Sequence, residues 1–191
     1  MVLQIKRNKE RKEGLTMKNV IKGFTSVLLI GSMLFSIAGC GRVKAYDKKE
    51  VKSILKDDLG LKDDKDYYTY DWDDYYVFTG SNGKSSFRIA IYEDEDDAAD
   101  EFEDLLDNFQ DDKDDDCFSG RSRYVSGKSS GYIVLNGEAD DDGDFFTEDE
   151  YYYGGIYWAD NMIIWVLADK DKDNAREDVR AFLKAFGLPR P

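Results

Sequence analysis

Two stretches of this chain carry apolar residues at the same helical spacing: Phe102, Leu105, Leu106 and Phe109, then Val179, Phe182, Leu183 and Phe186. Steps of three and four residues place each set on one stripe of a helix, and a stripe of that width must be buried against something. Each helix pattern follows a pair of strand patterns through an acidic turn. The strands supply the only large apolar partner, so the expected fold is α+β, an antiparallel sheet with about three helices packed mainly on one face. The matching spacing suggests two ββα-like halves; amphipathic helices also reach it without any duplication.

The punctuation along the chain agrees with this plan. Asp47 and Glu50 form a capping box ahead of Val51, Ile54, Leu55 and Leu59; Gly60 then stops the helix and Leu61 packs back onto it. Tyr68, Tyr70 and Trp72 alternate as in a strand, and Asp73-Asp74 breaks it before 75–79. Gly80-Ser81-Asn82-Gly83 reads as a hairpin loop, with Phe87, Ile89 and Ile91 on one face of the return strand. Acids at 94–97 open the second helix, whose stripe also takes in Ala98. A break is expected at 111–116, then strands near 118–125 and 132–136, and a long acidic loop over 137–150. Strands 151–159 and 162–168 pair across Asp160-Asn161. The last helix, with Ala175 on its stripe, ends at Gly187 with Pro189 just beyond.

The amino-terminal end has a different character. From Met17 a short cationic segment with Lys18 and Lys22 leads into an apolar run, 24–37, that falls short of the roughly 20 residues a membrane span needs. It closes on Ile37-Ala38-Gly39-Cys40. This order resembles the signal peptide and lipobox of bacterial lipoproteins. The resemblance implies cleavage before Cys40, a diacylglycerol on its thiol, and anchoring at the extracytoplasmic face of a cell membrane, which two acyl chains hold stably. The expected organisation is 17–39 signal peptide, 40–46 short tether, and 47–191 a single domain. Lys12-Glu13-Gly14 reads as a translated ribosome-binding site, which would place 1–16 upstream of the true start. The order of a strand, an Ala-xxx-Phe helix, more strands and a final helix ending Gly-Leu-Pro resembles small uncharacterised lipoprotein domains of cell envelopes. That resemblance implies no function.

Charge narrows the partners. Residues 1–39 hold seven of the 27 basic and two of the 41 acidic residues, so the remainder has 20 against 39, a net of −19. A field that negative disfavours nucleic acid and favours cations or basic partners. The chain has no histidine, the commonest general base and transition-metal ligand. With Cys40 acylated, Cys117 has no disulfide partner, and Asp114, Asp115 and Asp116 oppose thiolate formation, so it reads as a small buried apolar residue.

Two candidate sites follow. Glu138, Asp140, Asp142, Gly143 and Asp149 fall at the first, third, fifth, sixth and twelfth positions of an EF-hand-like loop, with Asp144 beside them, which points to calcium. The match departs in its leading Glu, its short closing Asp149, Phe146 at the ninth position, and a strand rather than a helix before it; a solvated loop is the other reading. The acidic turn at 169–174 lacks a closing acid, since Arg180 stands there, and reads as helix-capping chemistry. The second candidate is aromatic. Tyr75, Tyr76, Tyr151, Tyr152 and Tyr153 are consecutive on strands, so one face of each group is expected outside the core, as a surface for an envelope protein or glycan. Most aromatics on these hairpins serve sheet packing. No nucleophile elbow, phosphate loop or dinucleotide fingerprint is present, and carboxylate pairs are too numerous to single out a hydrolase. The function expected is therefore a non-enzymatic binding module on a lipid anchor, with a calcium module as the alternative and a carboxylate-dependent hydrolase more remote.

Overall fold

The computed structural model describes residues 43–168 and 172–191; the stretch 1–16, the signal peptide expected over 17–39 and the expected lipidation site Cys40 lie outside them, as do 41–42 and 169–171. Helix α1, Lys48–Ser53, starts at the capping box. The Asp47 carboxylate accepts from the Lys49 and Glu50 N–H groups at 2.8 Å, and Glu50 Oε2 accepts from the Asp47 N–H at 2.9 Å. Its second half, Ile54–Asp58, widens into a π-turn, where the sequence pattern predicts one uninterrupted helix. Gly60, at φ 68°, ends it, and the Leu61 N–H donates back to the Leu55 carbonyl at 2.8 Å.

Seven strands follow: β1 Tyr68–Asp71, β2 Tyr75–Ser81, β3 Ser85–Tyr92, β4 Phe118–Ser126, β5 Ser130–Ala139, β6 Tyr151–Ala159 and β7 Met162–Ala168. They form one antiparallel sheet in the order β1-β2-β3-β7-β6-β5-β4. Helix α2, Glu95–Asp114, connects β3 to β4, and α3, Asp173–Ala185, closes the chain. Thus β2-β3-α2 and β6-β7-α3 are the two ββα units of the sequence pattern, and their return strands β3 and β7 pair directly.

The helices divide between the faces. Val51 of α1, Leu55 of the π-turn that follows it, and Val179, Phe182 and Leu183 of α3 share one apolar cluster with Phe78, Ile89, Tyr157 and Ile164. Two of the three helices therefore occupy one face, while α2 puts Ala98, Phe102, Leu106 and Phe109 on the opposite one, against Ile133, Leu135, Ile156, Trp158 and Ile163. The physical reason lies in β6 and β7. From Tyr152 to Ala159 every residue is buried, so both faces of the sheet centre need cover, and α2 supplies the second layer.

The folded region also begins earlier than expected. Val43 is only 4% exposed in the cluster that holds Leu188, and the Tyr46 hydroxyl donates to the Phe186 carbonyl at 2.9 Å. Residues 43–46 are thus part of the domain and not of the tether expected over 40–46. A second hydroxyl, on Tyr157, donates to the Pro189 carbonyl at 2.8 Å and ties down the other end. Among the described residues no helix is long and apolar enough to cross a membrane.

The capping box has a consequence for pH. Hydrogen bonds from the Glu50 and then the Lys49 N–H hold the Asp47 carboxyl below the ordinary aspartate range. A carboxyl depressed on folding adds stability above its unfolded pKa and loses it as pH falls through the folded one. A carbon-detected NMR titration is expected to place the Asp47 midpoint below that of an unfolded-peptide reference, and Asp47→Ala to weaken the acid-side decline in stability.

Candidate functional site

The acidic loop is organised from outside itself. Asp112, in the last turn of α2, is only 6% exposed, and its carboxylate accepts from three successive N–H groups: Asp144 at 3.0 Å, Phe145 at 2.7 Å and Phe146 at 3.0 Å. The sequence pattern places a break at 111–116, but α2 runs on to Asp114 and turns Asp112 inward, beneath the loop. Gly143 lies so close to this carboxylate that a Cβ there would overlap it. Phe146 fills the space below, stacked on Phe118 with centroids 4.7 Å apart and edge-on to Tyr152 at 5.2 Å.

The five carboxylates predicted to hold calcium do not converge. Glu138 sits in β5 opposite Tyr151, and Asp142 Oδ1 accepts the Glu148 N–H at 2.9 Å. Among the described residues no three His, Cys, Asp or Glu side chains are grouped to hold a metal ion. Asp140 and Asp149 spend their backbone N–H groups on the Cys117 and Ala139 carbonyls. The donor set fits a loop latched by Asp112 better than an oxygen cage. Beside it, Cys117 is buried, and burial followed by Asp112, Asp141, Asp115 and Asp116 pushes its thiol up. That is the opposite of what a nucleophile needs.

The tyrosines expected on one surface are dispersed. On β6, Tyr152 is buried and its hydroxyl accepts the Thr147 N–H at 3.0 Å. Tyr153 is buried on the other face and accepts from Arg180 Nε at 2.8 Å. Tyr151 is half-buried and donates to Asn136 Oδ1 at 3.1 Å. On β2, Tyr76 packs beside α1 with Lys48 Nζ 4.2 Å from its ring centroid. Tyr75 alone of the five joins an open aromatic surface.

That surface is built mainly by residues outside the predicted set. The register of β1 on β2, with Tyr68 opposite Thr79 and Tyr70 opposite Val77, places Tyr68, Tyr70 and Tyr75 on the α2 side of the sheet. Helix α2 lies against β3, β7 and β6, which leaves this corner uncovered. Tyr68, Tyr70 and Trp72 are 51%, 47% and 52% exposed. The rings run on from one another: Tyr70 to Trp72 at 6.1 Å, Trp72 to Tyr75 at 4.9 Å, Tyr75 to Tyr92 at 5.4 Å. Arg88 closes the inner end, its guanidinium 5.9 Å from the Tyr75 ring and 5.1 Å from Trp165. Burial, then the nearby Glu101, pushes the Tyr92 hydroxyl up against the pull of Arg88. Burial likewise raises the Glu101 carboxyl, with Arg88 opposing. The result is a shelf of aromatic rings with one cation at its base and exposed acids, Asp71, Asp73 and Asp74, at its edge. The strict alternation of Tyr68, Tyr70 and Trp72 was the sequence signal for it.

No protein-family model, curated protein or solved structure matches the chain.

Removing the Asp112 carboxylate leaves three N–H groups without their acceptor, that of Phe146 buried and those of Asp144 and Phe145 part-buried. Asp112→Ala is expected to cost about 3 kcal/mol or more in chemical denaturation, since each buried unpaired donor costs about 1–3 kcal/mol. Gly143→Ala is expected to be destabilising in the same experiment by displacing that carboxylate. Thermal melts with calcium, magnesium or chelator are expected to coincide; a calcium-specific rise lost in Asp140→Ala/Asp142→Ala would restore the metal reading.

Proposed function

We propose that this protein is a membrane-anchored extracytoplasmic lipoprotein acting as a non-enzymatic binding module, with the aromatic shelf as its contact surface for an envelope protein or glycan. The observation that carries this reading is the shelf itself. Tyr68, Tyr70 and Trp72 remain half exposed, with Trp72 in ring contact with both Tyr70 and Tyr75, while the other exposed large apolar side chains among the described residues, Tyr124 and Val125, stand on the opposite edge strand β4. Tyrosine and tryptophan give large, rigid, amphipathic contact area at low entropic cost, which suits recognition of apolar protein surface or the flat faces of sugars. The acids at the edge select against anionic partners. The anchor rests on the lipobox resemblance at Cys40. A non-enzymatic role agrees with the absence of histidine and with a buried thiol held protonated.

Two measurements test it. The intact mass of the mature chain is expected to begin at Cys40 and to carry a diacylglycerol, and Cys40→Ser to abolish both processing and acylation. In living cells, a photo-crosslinking residue replacing Asp73, exposed beside Trp72, is expected to give discrete adducts that the same residue at Asp107, exposed on α2, does not. Tyr70→Ala/Trp72→Ala is expected to remove those adducts with little change in melting temperature. Adducts that survive this double substitution would reject the shelf as the contact surface.

A further inference from the structure

The described domain is electrically lopsided across its sheet. Helix α2 carries 11 acids and one lysine over its length, a net of −10. On the opposite face α3 is balanced, three acids against three bases. The lead-in and first helix stand apart from both. Over residues 43–56 five lysines, Lys44, Lys48, Lys49, Lys52 and Lys56, meet two acids, whereas 57–191 holds 14 basic residues against 37 acidic. All five lysines are exposed. The basic surface thus lies at the point where the chain enters the domain, on the face away from α2, with Lys48 reaching Asp71 at the edge of the shelf.

We propose that this lysine surface rests on the anionic phosphates of the bilayer that holds the chain, so that α2 and the aromatic shelf face outward. The inference depends on acylation of Cys40. Val43 is already fixed in the core, and three residues reach at most about 10 Å. Such a tether keeps the domain within about one Debye length of the surface, some ~8 Å at physiological ionic strength, where headgroup charge is still felt. A domain so negative overall is repelled in most orientations. The stretch 43–56, net +3, and the β4–β5 hairpin, where 117–137 holds Arg121, Arg123 and Lys128 and no acid, are the exceptions; of these the first adjoins the tether, and juxtamembrane lysines are drawn to anionic leaflets.

Asp57 and Asp58, which follow Lys56, bring residues 43–58 to a net of +1, and the acids paired with the lysines are held loosely. Lys44 meets Glu50 at 3.2 Å, Lys52 meets Asp63 at 3.5 Å and Lys48 meets Asp71 at 3.9 Å. All three pairs are solvent-exposed, and such pairs hold their partners weakly. The lysines exchange them readily for lipid phosphate.

The test uses the full chain expressed in a bacterium, purified with its own anchor, and reconstituted in phosphatidylcholine vesicles with or without phosphatidylglycerol. A fluorophore is placed by Ser53→Cys on α1 or Asp104→Cys on α2, and the vesicles carry a headgroup nitroxide quencher. Buried Cys117 stays unlabelled. With phosphatidylglycerol, the Ser53 position is expected to be quenched more strongly than the Asp104 position. That difference is expected to disappear at high salt, in phosphatidylcholine alone, and in Lys49→Glu/Lys56→Glu. Equal quenching at the two positions, or a bias that survives charge reversal, would overturn the inference while leaving the anchor intact. A mature chain without acyl mass would overturn the anchor, and this inference with it.

Discussion

A sheet that is apolar on both faces dictates most of this structure. The run from Tyr152 to Ala159 is buried without interruption, so successive side chains on opposite faces both avoid water. No arrangement with all helices on one side satisfies that strand. Helix α3 and α1 cover one face, and α2 crosses to cover the other. Three helices do not suffice for seven strands on two sides. Part of the deficit falls at the other edge, along β4 with Tyr124 and Val125, and part at the β1–β2 corner on the α2 side, where the rings of Tyr68, Tyr70 and Trp72 are left half in water. The candidate binding surface is thus what remains once the central strands have been covered.

Local chemistry was legible in the sequence, and long-range partnership was not. The capping box at Asp47, the stop at Gly60, both hairpins and the stripes of α2 and α3 depend on residues a few positions apart, and they stand where spacing put them. The face chosen by α2 depends on which strands lie between β3 and β4 in space, and nothing near residue 100 encodes that. The same limit explains the tyrosines. Consecutive Tyr151, Tyr152 and Tyr153 do point to alternate faces, but at the sheet centre both faces are interior. Tyr68 and Tyr70 stand on an edge strand with one neighbour, with Trp72 just past its end, and there the same residue types meet solvent.

The acidic loop shows how composition misleads. In a chain with 41 acidic residues, aspartates at calcium-like intervals arise readily, and spacing alone cannot say where their oxygens point. One carboxylate from a distant helix, Asp112, decides the loop by gathering three N–H groups that the loop cannot satisfy internally. Its neighbours Asp111, Asp114, Asp115 and Asp116 make it look like one of a solvated run. Only burial sets it apart, and burial is a property of the fold.

The clasp between the ends of the domain has a mechanical side. Val43 and Leu188 lie in the same cluster, and Tyr46 holds the Phe186 carbonyl. A pull on the chain ahead of Val43 therefore meets the C-terminal end of α3 first and reaches the ladder of the sheet only after that clasp has yielded. The hydroxyl of Tyr46 and the burial of Val43 act together as a strain relief, so that tension on the chain ahead of Val43 loosens a peripheral knot before it disturbs the strands that display the shelf.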